Sequence, residues 1–317
     1  MRLCLAGETM LGREVAKALA HARPDSLVAP EVVEVAREAD LLVLNLECCI
    51  SERGSPWPDP QKAFFFRAPP SGVELLVHLG VGCVTLANNH ALDFGREALL
   101  DTLAHLSAAG IPTVGAGADV DEARRPAVLT AGGLRLALVG ASDHPVAFAA
   151  GRKRPGIAHA ELEAGVPGWL GEAVQGVDAD LVVVTPHWGP NMVPEPRPYV
   201  RAAAGELLAA GVDLVAGHSA HVFHGVAPGI LYDLGGFIDD YAVNPVLRND
   251  LGLLFLVDLD ADGPVRLEAV PLELEFCFTR LAEGGEADWI RRRFHAACAA
   301  LGTEVEEKAG RLVVDLR

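Results

Sequence analysis

The chain has 317 residues, half of them hydrophobic, with 26 Lys plus Arg against 43 Asp plus Glu and a formal net charge of -17. That length and apolar fraction suffice for a large core without disulfides or a structural metal. The negative charge repels nucleic acid and anionic lipid at long range, so a nucleic-acid partner is excluded from the expectations.

Short apolar runs at 2–6, 41–46, 81–87, 134–141, 181–185 and 212–216 read as buried strands. Between them, 30–39, 95–109, 161–175 and 198–210 carry apolar residues at three and four spacing, with Gly110 and Gly211 placed as C-terminal stops. This is α/β alternation, which puts ligands outside the carboxyl ends of the strands. From 252 onward the pattern changes. The segments 252–258 and 265–275 are strand-like and meet at Ala261-Asp262-Gly263, a hairpin turn. This antiparallel part is expected to complete a second sheet, followed by a helix at 288–301 and a strand at 311–316. The Pro- and Ser-rich 51–60 and the five prolines of 186–198 make loops.

The N-terminus enters its first strand at once, without a charged region and a leader's apolar stretch of about 7–15 residues. No run approaches the ~18 apolar residues that cross a bilayer. The six cysteines, Cys4, Cys48, Cys49, Cys83, Cys277 and Cys298, include no CxxC pair, and most lie in apolar runs as small hydrophobes. The expectation is a soluble, unexported, cytoplasmic protein with reduced thiols and no membrane partner, its oligomeric state left open.

Five polar clusters follow strand-like runs: Gly7-Glu8-Thr9-Met10-Leu11-Gly12-Arg13, Asn45-Leu46-Glu47, Asn88-Asn89-His90, His187-Trp188-Gly189 and Gly217-His218-Ser219-Ala220-His221. One such cluster is ordinary, because Asn, Asp and Gly open loops for conformational reasons. Five in succession, with two carboxylates and four histidines, point to one site. Carboxylate, imidazole and amide oxygen are ligands for Mn, Fe or Zn, and the first two are also the acids and bases of proton transfer.

In this order, GETMLGR, NLE, LANNHALDFG at 86–95, VGAGAD at 114–119, HWG and GHSAHVFHG at 217–225 resemble the poly-gamma-glutamate capsule biosynthesis (CapA-like) family, part of the calcineurin-like metallophosphoesterase superfamily. The resemblance covers residues 1–240, and NNH is its most specific part. It implies a four-layer αββα sandwich of two mixed sheets, formed by 1–317 as one domain, with a core at 1–240 and a β-rich completion and helix at 250–317. It also implies a metal site. Glu8 stands at the family's first aspartate and Glu47 at the bridging carboxylate. Asn89 and His90 match the asparagine ligand and its neighbouring acid, His187 a histidine ligand, and His221 the last histidine of His-Pro-His. Ser219 replaces the first histidine of that motif, leaving His218 as the substitute ligand. Gly235-Gly236-Phe237 replaces Gly-Asn-Phe, and Pro190-Asn191-Met192 lacks the acid usual after His-Trp-Gly. With fewer ligands than the family pattern, the expectation is one divalent ion (Mn, Fe, Zn or Mg) or none.

Peptide epimerisation is the favoured activity, because inverting an α-carbon takes an acid and a base on its two sides rather than a complete metal pair. Glu8, His90 and His221 are the catalytic candidates, with a peptide or polyamide as substrate. A metal-dependent phosphoesterase and a scaffold without chemistry are the alternatives. Trp188, with Trp57, is expected to line the cleft, and Arg124 and Arg125 to dock a substrate carboxylate. Asp143 and His144 form a weaker candidate pair.

Overall fold

The computed structural model describes residues 1–21 and 26–317. In chain order the first third contains β1 (Arg2–Thr9), α1 (Arg13–His21), α2 (Pro30–Ala36), β2 (Leu41–Leu46), β3 (Cys49–Ile50), β4 (Arg67–Ala68), α3 (Gly72–Leu79), β5 (Val81–Thr85) and α4 (Gly95–Ala108). Next come β6 (Thr113–Val114), β7 (Ala116–Gly117), α5 (Val120–Ala123), β8 (Ala127–Ala131), β9 (Leu134–Ser142), β10 (Gly156–Ile157), α6 (Gly168–Gln175), β11 (Leu181–His187) and α7 (Pro198–Ala209). The remainder holds β12 (Leu214–Ala216), β13 (Val226–Ala227), β14 (Ile230–Leu231), β15 (Gly236–Ile238), β16 (Leu251–Asp260), β17 (Gly263–Glu275), β18 (Phe278–Leu281), α8 (Gly284–Ala299), β19 (Glu306–Lys308) and β20 (Arg311–Asp315).

Ten strands form the larger mixed sheet, in the order β19-β20-β17-β16-β1-β2-β5-β6, with β15 beside β1 and β18 beside β17. Six form the other, β13-β14-β12-β11-β9-β8. Strand alternation explains the layers. Leu3, Leu5, Leu41 and Val43 face the space between the sheets, where they meet Leu136, Leu138, Leu181, Val183 and Leu214. The alternate residues of the first sheet, Cys4, Ala6, Leu42 and Leu44, face α1 to α4 through Val15, Leu19, Val32, Leu75 and Leu99. The alternate residues of the second, Val139, Val182, Val184 and Val215, pack on α6 and α7 through Leu170, Val174, Val200 and Leu207. Strands buried on both faces must be apolar throughout, which is why they read as continuous runs. The result is the four-layer sandwich of helices, sheet, sheet and helices.

Three expectations change. The antiparallel segment does not complete a second sheet: β16 pairs with β1, so β16, β17 and β20 widen the first. Apolar alternation makes a strand but does not choose its neighbour. The helix read at 161–175 is interrupted at Gly165-Val166-Pro167. Gly165 has φ 108, and Pro167 caps α6, which begins at Gly168. Helices α1 and α3, of 9 and 8 residues, lie outside the segments that the apolar spacing marks as helical. Among the described residues no helix is long and apolar enough to cross a membrane, and all six cysteines are buried free thiols.

Candidate active site

The carboxyl end of β1 opens between two neighbours. Its pairing with β2 is irregular between Ala6 and Glu8, and its parallel pairing with β15 shifts between Glu8 and Thr9. Such irregularities re-aim side chains. Gly7 makes the approach possible, because a Cβ there would lie 1.9 Å from Gly235 O, which accepts the Glu8 amide at 2.9 Å. Glu47 follows β2, its amide bonded to Thr9 O at 3.0 Å. His187 ends β11, and the loop after β12 carries His218, Ser219 and His221. Ser219 has φ 118 and His221 φ 58, left-handed conformations that non-glycine residues keep only where their surroundings enforce them.

Donor atoms of Glu8, Glu47 and His187 all lie within 4.8 Å of one another, and all three residues are buried. Glu8 ties the two sheets together: Oε1 accepts the Ser219 amide at 2.7 Å, and Oε2 abuts Nδ1 of His221 as an ion pair. Burial alone would raise the Glu8 carboxyl, but His221 outweighs it and holds the group below its ordinary value. Burial likewise opposes a charge on His221, yet Glu8 and Glu47 overcome it and lift the imidazole to about 10. Glu47 is pushed well above the carboxylate range by burial and by the charge of Glu8. These are opposite outcomes for two neighbouring acids.

His90 is built as a second supported imidazole. Its Nδ1 lies 2.6 Å from Asp93 Oδ2 and its Nε2 3.8 Å from Glu47 Oε1, while Phe66 stacks on the ring at 4.0 Å. Asp93 also accepts the Phe66 amide at 2.6 Å and pairs with Lys62 at 2.8 Å. Burial lowers His90 to about 4, Asp93 opposing. Asn88 fixes the loop by donating to Asn45 Oδ1 and Leu46 O, both at 2.8 Å, and accepting the His90 amide at 3.0 Å.

Two cavities open here. One, of about 320 Å³, is lined by His90 and His221 together with Arg13, Phe64, Phe66 and Tyr241. The other, of about 720 Å³, is lined by Asn89, Asp143, His144, His159 and Tyr199. Asn191 lines both and lies 3.1 Å from His221 Nε2. In the larger cavity, Asp143 Oδ2 accepts from the Gly189 amide at 3.0 Å and the Tyr199 hydroxyl at 2.8 Å, and its Oδ1 meets His144 Nδ1. The His144 ring stands 5.3 Å from that of His187.

The donor set fits a single metal ion. Among the described residues both nitrogens of His187, Glu47 Oε1, Asn89 Oδ1 and His218 Nδ1 are buried without a hydrogen-bond partner. Unsatisfied buried polar groups cost about 1–3 kcal/mol each, and such a concentration of them marks a place where a ligand belongs. Burial and the neighbouring histidines keep His187 well below its ordinary value, and burial takes His218 to about 4. Both are held towards the neutral form that ligands need, and an ion beside them would oppose the burial and the Glu8 charge that push the Glu47 carboxyl up.

Glu8, Glu47, His187, His221 and His90 thus converge, with Asn89 on the adjoining cavity wall. Trp188 does not line either cavity; it is buried and donates through Nε1 to Tyr232 O at 2.9 Å, an indole used for packing. Arg124 and Arg125 line neither cavity: Arg124 lies over the Trp169 ring at 4.5 Å, and Arg125 is exposed just past the end of α5. Trp57 packs edge-on against Phe148 at 4.8 Å. Sequence reading missed Asp93, Asp233 and Tyr241. Asp93 stands in the same NNHALDFG string as His90, so its i+3 spacing was the available signal. Asp233, buried, accepts the Ala220 and Gly235 amides at 2.8 and 2.9 Å and shapes the histidine loop.

Two mixed sheets that bring buried carboxylates and imidazoles together at their strand ends define an α/β protein of the calcineurin-like fold class. The chain belongs to the bacterial capsule synthesis protein PGA_cap family, whose model matches residues 2–241. It is 34% identical over 296 residues to a "probable polyglutamine synthesis accessory protein" of Mycobacterium tuberculosis, the match covering 86% of this chain and 76% of the relative. It is 28% identical over 274 residues to the "PGA biosynthesis protein CapA" of Bacillus subtilis, covering 84% of this chain and 70% of the relative. The "capsule biosynthesis protein CapA" of Bacillus anthracis is 28% identical over 286 residues, with 87% and 68% covered. A hypothetical protein from Thermus thermophilus shares the fold, with a TM-score of 0.50 at 17% identity over 87% of this chain and 100% of its own.

Proposed function

We propose that the protein is an acid–base enzyme that epimerises an amino-acid α-carbon within a peptide or polyamide, with His90 and His221 as the proton-transfer pair. The observation that carries this reading is that both imidazoles line one cleft and each is backed by its own carboxylate, Asp93 or Glu8. With Nδ1–H given to Asp93, His90 presents the lone pair of Nε2 and acts as the base. His221, protonated beside Glu8, is the acid that returns a proton. Glu8 and His221 are in contact and form one unit, so Glu8 positions and charges His221 instead of working from the opposite side. Against a protonated His221 the Asn191 side chain presents its Oδ1 to Nε2–H, and its amide N–H groups are then placed to hold the substrate carbonyl oxygen as negative charge develops on it.

Glu8, Glu47 and His187, with Asn89 Oδ1 as a further donor, would hold one divalent ion, Mn, Fe, Zn or Mg, which supplies Lewis-acid polarisation of a carbonyl or phosphoryl oxygen. That same donor set favours metal-dependent ester hydrolysis as the second reading. The relatives' descriptions, polyglutamine synthesis and capsule biosynthesis, support a polyamide substrate. The six free thiols support a reducing, cytoplasmic location.

Incubating the protein with candidate peptides in deuterated water tests this, mass spectrometry reading α-deuterium uptake beside a generic phosphate ester with manganese. Uptake that His90→Gln and His221→Asn each reduce by roughly a hundredfold or more is expected. Phosphate release without uptake would establish the hydrolase instead, and silence in both assays the scaffold.

A further inference from the structure

The GETMLGR string ends in an arginine that the proton-transfer pair does not use. Arg13 has φ 52, a left-handed conformation unusual for a long side chain. Asp240 enforces it, accepting the Glu14 amide at 2.9 Å through Oδ2 and pairing with Arg13 Nη2 at 3.1 Å through Oδ1. The guanidinium is thereby held 5.7, 5.8 and 6.0 Å from the ring centroids of Phe64, Phe66 and Tyr241, in the cleft of His90 and His221. Among the described residues its Nε and Nη1 have no hydrogen-bond partner. The opposing ring is also unfinished: the Tyr241 hydroxyl is buried without a partner, and its ring meets His221 edge-on at 5.1 Å.

We infer that this cleft is a substrate subsite for a carboxylate, from a side chain or a chain terminus, bound by the Nε–H or Nη1–H of Arg13 that Asp240 leaves free, while the Tyr241 hydroxyl holds the polar backbone group nearest His221. Nη2 is held by Asp240, so Nε–H and Nη1–H each offer a carboxylate oxygen one charge-assisted hydrogen bond, beside the largely covered faces of Phe66 and Tyr241. On a chain of net charge -17, and in a cleft whose neighbours are acids, Arg13 is the group that makes an anion welcome. The subsite rests on the proposed reading only in taking His90 and His221 as the reacting centre.

Titration calorimetry with four N-acetylated tripeptides tests it without any turnover. Three have amidated ends and central glutamate, glutamine or alanine; the fourth is trialanine with a free carboxyl end. At least one acid peptide is expected to bind the wild-type protein about tenfold or more tightly than its amide counterpart, and which one does so identifies the source of the carboxylate. Arg13→Gln should abolish that preference and Arg13→Lys, which keeps the pair with Asp240, should retain part of it. Tyr241→Phe should weaken acid and amide peptides by the same factor, roughly three to ten, and leave the preference intact. Equal binding of acid and amide to the wild type, no binding of any peptide, or a preference that survives Arg13→Gln would overturn the subsite. A preference that follows Arg13 in a protein without α-proton exchange would count against epimerisation and leave the subsite standing.

Discussion

Asp93 gives its two oxygens to three donors: His90, the Phe66 amide and Lys62. Oδ2 takes both His90 and the Phe66 amide, so an asparagine that keeps its oxygen there turns its amino group onto the Lys62 ammonium, and one that turns away from that repulsion presents the amino group to His90 and demands the other tautomer. The proton would then sit on Nε2, and the cleft would lose its base. Asp93→Asn should therefore lower the rate of α-proton exchange by roughly a hundredfold or more with little change in KM. Unchanged kcat would show that Asp93 is structural. His224 gives a pH test away from the cleft. Its Nε2 lies 2.9 Å from Val193 O and so carries the proton, leaving Nδ1 buried without a partner. Burial lowers its pKa from 6.5 to about 4. The unfolded chain takes the proton first as pH falls, so this contribution is complete above 6.5 and is lost progressively down to about 4. Relative to His224→Gln, whose amide can still donate to Val193, the wild type should lose about 1.4 kcal/mol per pH unit across that window in urea unfolding. A difference independent of pH would refute this.

At the scale of elements, glycines separate close approach from ordinary helix. Gly7→Ala in β1 drives a methyl into Gly235 O and should destabilise the protein by about 1–3 kcal/mol or more, moving Glu8 as well. Gly205→Ala in α7, where nothing lies within 4 Å, should stabilise by about 0.5–1 kcal/mol. Thermal unfolding of the two variants checks both signs. The same contrast explains what could be read in advance. Strands buried on two faces left unbroken apolar runs, and α4 and α7 are long enough for their spacing to register. Helix α1, of 9 residues, is buried only at Val15 and Leu19, too few positions to show a period, whereas α3 does bury Gly72, Leu75, Leu76 and Leu79 at helical spacing, but Val73 and Val77 between them blur the apolar face within 8 residues. Strand neighbours were not legible either, because β16 carries the same apolar pattern whichever sheet receives it.

For the molecule as a whole, the family match ends at 241, but the sheet does not. β16 covers the edge of β1 from Arg2 to Leu5, and β16, β17, β20 and α8 supply Phe255, Leu267, Leu312 and Phe294 to the layer between the sheets. A chain cut after Tyr241 should lose cooperative unfolding and aggregate, as an uncovered apolar edge does; a soluble fragment with a sharp thermal transition would show that 1–241 is self-sufficient. The meeting of Glu8, Glu47, His187 and His221 was legible because each sits in a polar string behind a strand. Arg13 closes the first of those strings, but its role was not legible, and Tyr241 stands outside all of them, since an arginine or an aromatic acquires meaning only from what the chain folds against it. One contact also dictates a sequence of events in time. The bond from Ser219 to Glu8 joins residues 211 positions apart and spans both sheets, so it can close only after each sheet has formed and the two have docked. Loops of that length delay the contacts they connect. On dilution from denaturant, the far-ultraviolet circular dichroism of the strands and helices should return first and catalytic competence measurably later; simultaneous recovery would mean that the two sheets assemble as one.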